Sequence, residues 1–154
     1  MTTQTHIQHG VLMRINSIGV LITGKPGIGK SELALQLLDR GHTFVGDDAI
    51  CIRREGDRLI GKAPSSLRGQ LHCRRIGRID VGAQFSPAQS APESDIDLMI
   101  QLVDTPYPIA LDYPWQSTII LDQKRPCQDL YTQPQAMLPL LLEQIVARYD
   151  VEQI

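Results

Sequence analysis

The chain has 154 residues, 42% of them hydrophobic and 21% charged, with 15 Lys+Arg against 17 Asp+Glu for a net charge of −2. These values suit one soluble globular domain over residues 1–154 and exclude a largely disordered chain. They also lack the global basic charge of most nucleic-acid binders, and no run of about 18 apolar residues is present, so neither a nucleic-acid partner nor a membrane span is expected.

Residues 10–15 and 17–23 are apolar runs separated by Asn16, and they predict a hairpin leading into a core strand over 19–23. A glycine-rich turn follows over 24–29. Leu33, Ala34, Leu37 and Leu38 recur at helical spacing within 30–40, and Gly41 supplies a stop. A short strand over 43–45 ends in Gly46-Asp47-Asp48. Residues 49–53 and 58–62 flank Arg54-Glu55-Gly56-Asp57 as a second hairpin. Residues 63–69 read as a loop or short helix, 79–81 as a strand, and 87–95 as a mobile loop. Strands are expected over 97–103 and 117–121, with an irregular segment over 104–115 that holds three prolines. A closing helix over 135–149 presents Met137, Leu140, Leu141, Leu142, Ile145 and Val146 as a broad apolar stripe. The order strand, glycine loop, helix, strand predicts an α/β fold with a mixed sheet and flanking helices.

Gly24-Lys25-Pro26-Gly27-Ile28-Gly29-Lys30-Ser31 satisfies G-x-x-x-x-G-K-[ST] between a strand and an amphipathic helix. Glycines let the backbone wrap a phosphate and aim N–H groups at its oxygens, and the helix N-terminus adds partial positive charge. Lys30 would reach the β- and γ-phosphates of ATP, and the Ser31 hydroxyl would ligate Mg²⁺. Asp47 and Asp48 follow the next strand, where a carboxylate can bind Mg²⁺ or accept a proton from a substrate hydroxyl. The single asparagine, Asn16, precedes the phosphate loop, so a guanine-reading Asn-Lys-x-Asp motif is excluded. Arg53, Arg54, Arg58, Arg68, Arg74, Arg75 and Arg78 are numerous enough for the arginine-rich lid of a small-metabolite kinase. Cys51, Cys73 and Cys127 are far apart and odd in number, which describes reduced thiols rather than a disulfide framework or zinc site. The polar residues 1–10 show no secretory pattern, so a cytoplasmic location is expected.

The order of motifs resembles the catalytic domain of HPr kinase/phosphorylase. The resemblance rests on His9-Gly10-Val11, Gly19-Val20-Leu21-Ile22-Thr23-Gly24, Gly27-Ile28-Gly29-Lys30-Ser31-Glu32, Leu38-Asp39-Arg40-Gly41-His42 and Asp47-Asp48. Leu59-Ile60-Gly61-Lys62-Ala63-Pro64, Ile76-Gly77-Arg78-Ile79-Asp80-Val81 and Met137-Leu138-Pro139-Leu140-Leu141-Leu142-Glu143 continue it. It implies a phosphate-loop domain, commonly assembled as a hexamer, that uses ATP and Mg²⁺ to phosphorylate a serine of the phosphocarrier protein HPr in carbohydrate regulation, and that can remove this phosphate. It further implies Asp48 as proton acceptor with Asp47 beside it, Lys30 on the transferring phosphates, His9 and Arg74 as active-site residues, and Ser31, Asp47 and the position of His72 as the metal side.

Three departures stand against the resemblance. His72 replaces the glutamate the family uses for Mg²⁺, and neutral imidazole is a poorer partner for that hard ion. Tyr131-Thr132-Gln133-Pro134-Gln135-Ala136 lacks the glycine and arginine that the family links to dephosphorylation, so kinase activity is expected ahead of phosphorylase activity. Trp115-Gln116-Ser117 occupies the region of a further catalytic arginine. Two alternatives stay open: a nucleotide-sensing module without catalysis, and a kinase of a small metabolite. His72→Glu, which restores the family residue, is expected to raise Mg²⁺-dependent turnover in a steady-state assay; an unchanged rate would remove His72 from the metal shell.

Overall fold

The computed structural model describes residues 4–152; residues 1–3, 153 and 154 of the expected single-domain span lie outside the described residues. A six-stranded mixed sheet forms the centre. Its strands are β2 (Val11–Ile15), β3 (Ile18–Thr23), β4 (Thr43–Gly46), β10 (Leu98–Val103), β11 (Gln116–Ile120) and β12 (Gln123–Tyr131), in the order β11-β12-β10-β3-β2-β4. A four-stranded sheet, order β1-β5-β6-β9, comprises β1 (Thr5–His9), β5 (Ala49–Glu55), β6 (Arg58–Lys62) and β9 (Ser94–Asp95). A ribbon of β7 (Gln70–Cys73) and β8 (Gly77–Asp80) stands apart.

The central strands are buried on both faces, which is why they read as unbroken apolar runs rather than as an alternation. Val11, Met13, Val20 and Ile22 face the helices, where they join Leu33 and Leu37 of α1 (Lys30–Asp39) and Leu138, Leu142 and Val146 of α3 (Leu138–Glu152). Leu12 and Leu21 point the other way and pack with Ile50, Ile52, Leu59 and Ile96 of the small-sheet layer. The end of α1 is tied to α3 where the Glu143 carboxylate accepts from the Arg40 guanidinium and pairs with His42 at 2.6 Å.

Several expectations change. Strand β8 ends at Asp80, and Val81 instead opens a short helix, α2 (Val81–Gln84), capped where Asp80 accepts the Ala83 N–H. Residues 87–95 are tied down rather than loose: Glu93 takes a bidentate pair of bonds from Arg53, Ser94 is buried, and Ser94–Asp95 pairs with β6. The closing helix begins at Leu138, after a 3₁₀ turn at Gln135–Met137, and its stripe is narrower than expected, with Met137, Leu140 and Leu141 exposed. Strands β1, β7 and β12 were not expected from the sequence.

Gly19 marks the closest approach between the layers. A Cβ there would stand 1.6 Å from the Asp95 carbonyl oxygen, while the Gly19 N–H donates to the Asp97 carboxylate at 2.8 Å. Backbone faces backbone, so no side-chain rotation relieves the overlap. Gly19→Ala is expected to lower unfolding free energy by about 3 kcal/mol or more, the upper range of overpacking losses. Urea denaturation reads this, and unchanged stability would contradict the packing described.

Candidate functional site

Strand β3 delivers the chain into the glycine loop, and α1 opens directly behind it. Gly27 and Gly29 take φ values of +83° and +113°, which side-chain-bearing residues rarely adopt. The Arg74 guanidinium lies over Gly27, 3.4 Å from where a Cβ would stand, which is ordinary contact distance, so the positive φ is the constraint there. Ile28 is buried in the helix-side core and anchors the loop from beneath. Lys25 and Pro26 are exposed on the loop's outer limb, and Lys25 is ion-paired with Asp104. Lys30 Nζ donates to the carbonyls of Gly24 at 2.8 Å and Lys25 at 3.1 Å, so the ammonium spans the mouth of the loop. Partial burial pulls its pKa below the usual lysine value, against the upward pull of Asp47, Asp48 and Glu32.

The acidic pair reaches the loop by a route other than a simple βαβ unit. Strand β2 lies between β3 and β4 and is antiparallel to both, so β3 and β4 run the same way and end at the same edge. There the buried Asp47 carboxylate accepts from Ser31 Oγ at 3.2 and 3.3 Å and from the His72 N–H at 3.0 Å. Asp48 follows in the left-handed region, φ +73°, and is exposed. Its carbonyl accepts the Gly10 N–H at 3.0 Å, which brings exposed His9, at the end of β1, alongside the same turn.

Two clefts meet at His72. One, of about 310 Å³, is lined by Gly27, Gly29, Lys30, Ser31, Glu32, His72 and Arg74. The other, of about 180 Å³, is lined by Asp47, Asp48, Ser66, Leu67, Gln70, Leu71, His72 and Arg78. The sequence candidates are thus brought together, with one revision: what His72 gives Asp47 is its backbone N–H, not its ring. Among the described residues no group of three or more His, Cys, Asp or Glu side chains is poised to hold a metal alone. The Ser31 hydroxyl and Asp47 carboxylate nevertheless suit Mg²⁺, which is held by few protein oxygens together with phosphate and water. Gln135 and Arg78 were not expected here as individuals. The Gln135 amide stands 3.8 Å from the Cβ position of Gly29, and only the tertiary fold brings it there. Cys73 is free and buried, and burial pushes its thiol pKa up, away from reactive thiolate.

The chain matches the HPr Serine kinase C-terminal domain family over residues 1–153. An HPr kinase/phosphorylase of Exiguobacterium sp. is 35% identical over 150 residues, covering 94% of this chain and 48% of that protein. The HPr kinase/phosphorylase of Alkaliphilus metalliredigens is 50% identical over 95 residues, covering 61% of this chain and 31% of that protein. The chain therefore spans about a third to a half of the length of these curated relatives. The solved structure of the Hpr(Ser) kinase/phosphatase from Coxiella burnetii superposes with a TM-score of 0.90 at 35% identity, covering 96% of this chain and 98% of that one.

Burial raises the Asp47 pKa above the usual carboxylate value, an effect partly offset by its hydrogen bonds from His72, Ser31 and the Asp48 N–H. The folded state thus binds this proton more tightly than the unfolded chain. The ionised form works against folding, and stability is lost as pH rises through the raised pKa. Asp47→Asn removes that slope. In urea unfolding without divalent ions, the stability difference is expected to move in the variant's favour from about pH 4 to about pH 7; a pH-independent difference would contradict the burial argument.

Proposed function

From a chain that belongs to the HPr serine kinase C-terminal domain family, we propose an ATP- and Mg²⁺-dependent serine kinase acting on the phosphocarrier HPr or a related protein. The observation that carries this reading is the placement of Asp48 in a cleft that shares His72 with the phosphate loop. A serine hydroxyl entering beside Asp48 faces the loop mouth held by Lys30. Asp48 accepts the hydroxyl proton as the oxygen turns nucleophilic, and Lys30 and Arg74 steady negative charge on the transferring phosphoryl group. Ser31 and Asp47 would hold Mg²⁺, which supplies charge neutralisation on the phosphates when bound. His9 stands beside the Asp48 turn, where it can position the acceptor.

The forward reaction is favoured over phosphorylase activity, because the neutral Gln135 occupies the ground beside Gly29 and no arginine is present in residues 131–136. A nucleotide-sensing module without transfer is the second reading, and the loss of a carboxylate at His72 supports it. A cytoplasmic location and homo-oligomeric assembly as a hexamer belong to the family reading. Among the described residues no helix is long and apolar enough to cross a membrane.

Two variants separate these readings. Lys30→Ala is expected to weaken ATP binding at least about tenfold in calorimetry, the loss of one charge-assisted contact, under either reading. Asp48→Asn is expected to leave ATP affinity unchanged and to lower kcat by about 10²- to 10⁴-fold. Transfer that proceeds unchanged in Asp48→Asn would remove Asp48 as the base.

A further inference from the structure

The clefts that meet at His72 leave one part of the phosphate donor without a place. Under the kinase reading its terminal phosphate faces Asp48, beyond the end of β4, which β2 separates from β3 on one side of the central sheet. That side is cationic. Arg74 and Arg78 line the two clefts and have no hydrogen-bond or ion-pair partner among the described residues. Arg53, Arg54 and Arg58, counted in the sequence as lid candidates, are instead engaged with Glu55, Glu93, Asp95 and backbone carbonyls. A donor whose phosphates lie along the loop and whose last one faces Asp48 carries its remainder to the other side of β3. The ground beside Gly29 is taken there by Gln135, so the open exit runs over the ends of β10 and β12.

Two adjoining cavities follow that exit. The first, of about 370 Å³, meets the loop at Lys25 and Ile28, is floored by residues 101–105 and is completed by Tyr107 and Asp129. The second, of about 260 Å³, shares Tyr107 and Asp129 and continues between Pro108, Tyr113 and Pro114. Asp129 is exposed and has no hydrogen-bond or ion-pair partner among the described residues. The polarity of the site thus reverses along the path. An unpaired carboxylate repels phosphate but accepts from ribose hydroxyls, and an aromatic ring offers a face on which a base stacks.

The wall is built rather than adventitious. The Tyr107 hydroxyl accepts the Tyr131 N–H at 3.3 Å, and its ring meets Tyr113 edge to face with centroids 5.4 Å apart. The Tyr113 hydroxyl accepts the Ala110 N–H at 3.0 Å, and its carbonyl accepts from the Arg148 guanidinium at 3.4 Å. Three prolines between residues 104 and 115 further restrict the segment, so little ordering is left for a ligand to impose. The ion pair of Lys25 with Asp104 ties the outer limb of the loop to the end of β10 and so joins the first cavity to the phosphate cradle.

We propose that these cavities form the nucleoside subsite of the donor, with Asp129 accepting from ribose hydroxyls and the base lying against the Tyr107 ring. This rests on the kinase reading for the direction of the phosphates, but binding alone reads it. The test is calorimetry in Mg²⁺ with ATP and with inorganic tripolyphosphate, on the unmodified chain and on Tyr107→Ala, Tyr107→Phe and Asp129→Asn.

The unmodified chain is expected to bind ATP at least about tenfold more tightly than tripolyphosphate, the size of one stacked base. Tyr107→Ala is expected to weaken ATP about tenfold and Asp129→Asn about threefold. Tyr107→Phe, which keeps the ring, is expected to retain most of the affinity. Tripolyphosphate affinity is expected to stay unchanged in all three variants, which also reports an intact loop. Equal affinity of the unmodified chain for the two ligands, or ATP affinity that survives both Tyr107→Ala and Asp129→Asn, would overturn the subsite and leave the phosphate loop standing. A parallel loss of tripolyphosphate affinity would assign the two residues to the structure of the loop and overturn the subsite as well. Binding of neither ligand would overturn both the subsite and the kinase reading. An ATP preference carried by Tyr107 and Asp129 without transfer to any hydroxyl would keep the subsite and remove the kinase; transfer without that preference would do the reverse.

Discussion

The site depends on one buried carboxylate. Asp47, at the end of β4, accepts from Ser31 at the head of α1 and from the backbone of His72 on β7. Three elements remote in sequence are thereby fixed against each other. The arrangement works against stability, since burial disfavours the charge that the hydrogen bonds require. Lys30 shows the same tension in the opposite sense, with its ammonium partly desolvated beside the acids that hold it charged. Charges held where water is scarce act more strongly on a bound polyphosphate than they would in bulk solvent.

The sandwich explains how that carboxylate is reached. Strands β2 and β3 are covered by helices on one face and by the small sheet on the other, so the end of β3 and the end of β4 are rigid supports. The glycine loop projects from one and the Asp47-Asp48 turn from the other. Gly19 lets the two layers meet at backbone distance, and Gly10 does the same for β1 beside Asp48, where a Cβ would lie 2.6 Å from the Ile22 carbonyl oxygen. The ribbon β7–β8 then closes the site from outside the sheets, carrying His72, Arg74 and Arg78.

What was legible in the sequence follows from this layout. The runs at 10–15 and 17–23 were readable because both faces of those strands are apolar, and the loop was readable because phosphate binding needs those residue types at that spacing. Strand β1, Thr-His-Ile-Gln-His, has a single apolar residue and owes its form to pairing with β5. Strand β12 carries Pro126 and the charged or amide residues Gln123, Lys124, Arg125, Gln128 and Asp129, and it is held between β10 and β11 rather than by its own pattern. Residues 87–95 have a loop's composition but are fastened by long-range bonds from Arg53 and Arg14, which no local pattern reveals. Within the site, Lys30, Ser31, Asp47 and Asp48 could be named in advance. The division of the arginines into paired and unpaired could not, since it depends on which acids the fold brings near.

The kinase reading gathers these features into one chemistry: a phosphate cradle, a partly desolvated lysine, a carboxylate turned toward a second cleft, and a relationship to a serine kinase domain. The most direct test is transfer itself. The protein would be incubated with Mg²⁺ and γ-labelled ATP in the presence of an HPr-type phosphocarrier protein, and label would be sought on serine. Label on a carrier serine is the predicted result. ATP bound by the folded protein with no label on the carrier or on any other hydroxyl would contradict it and leave a nucleotide-binding module.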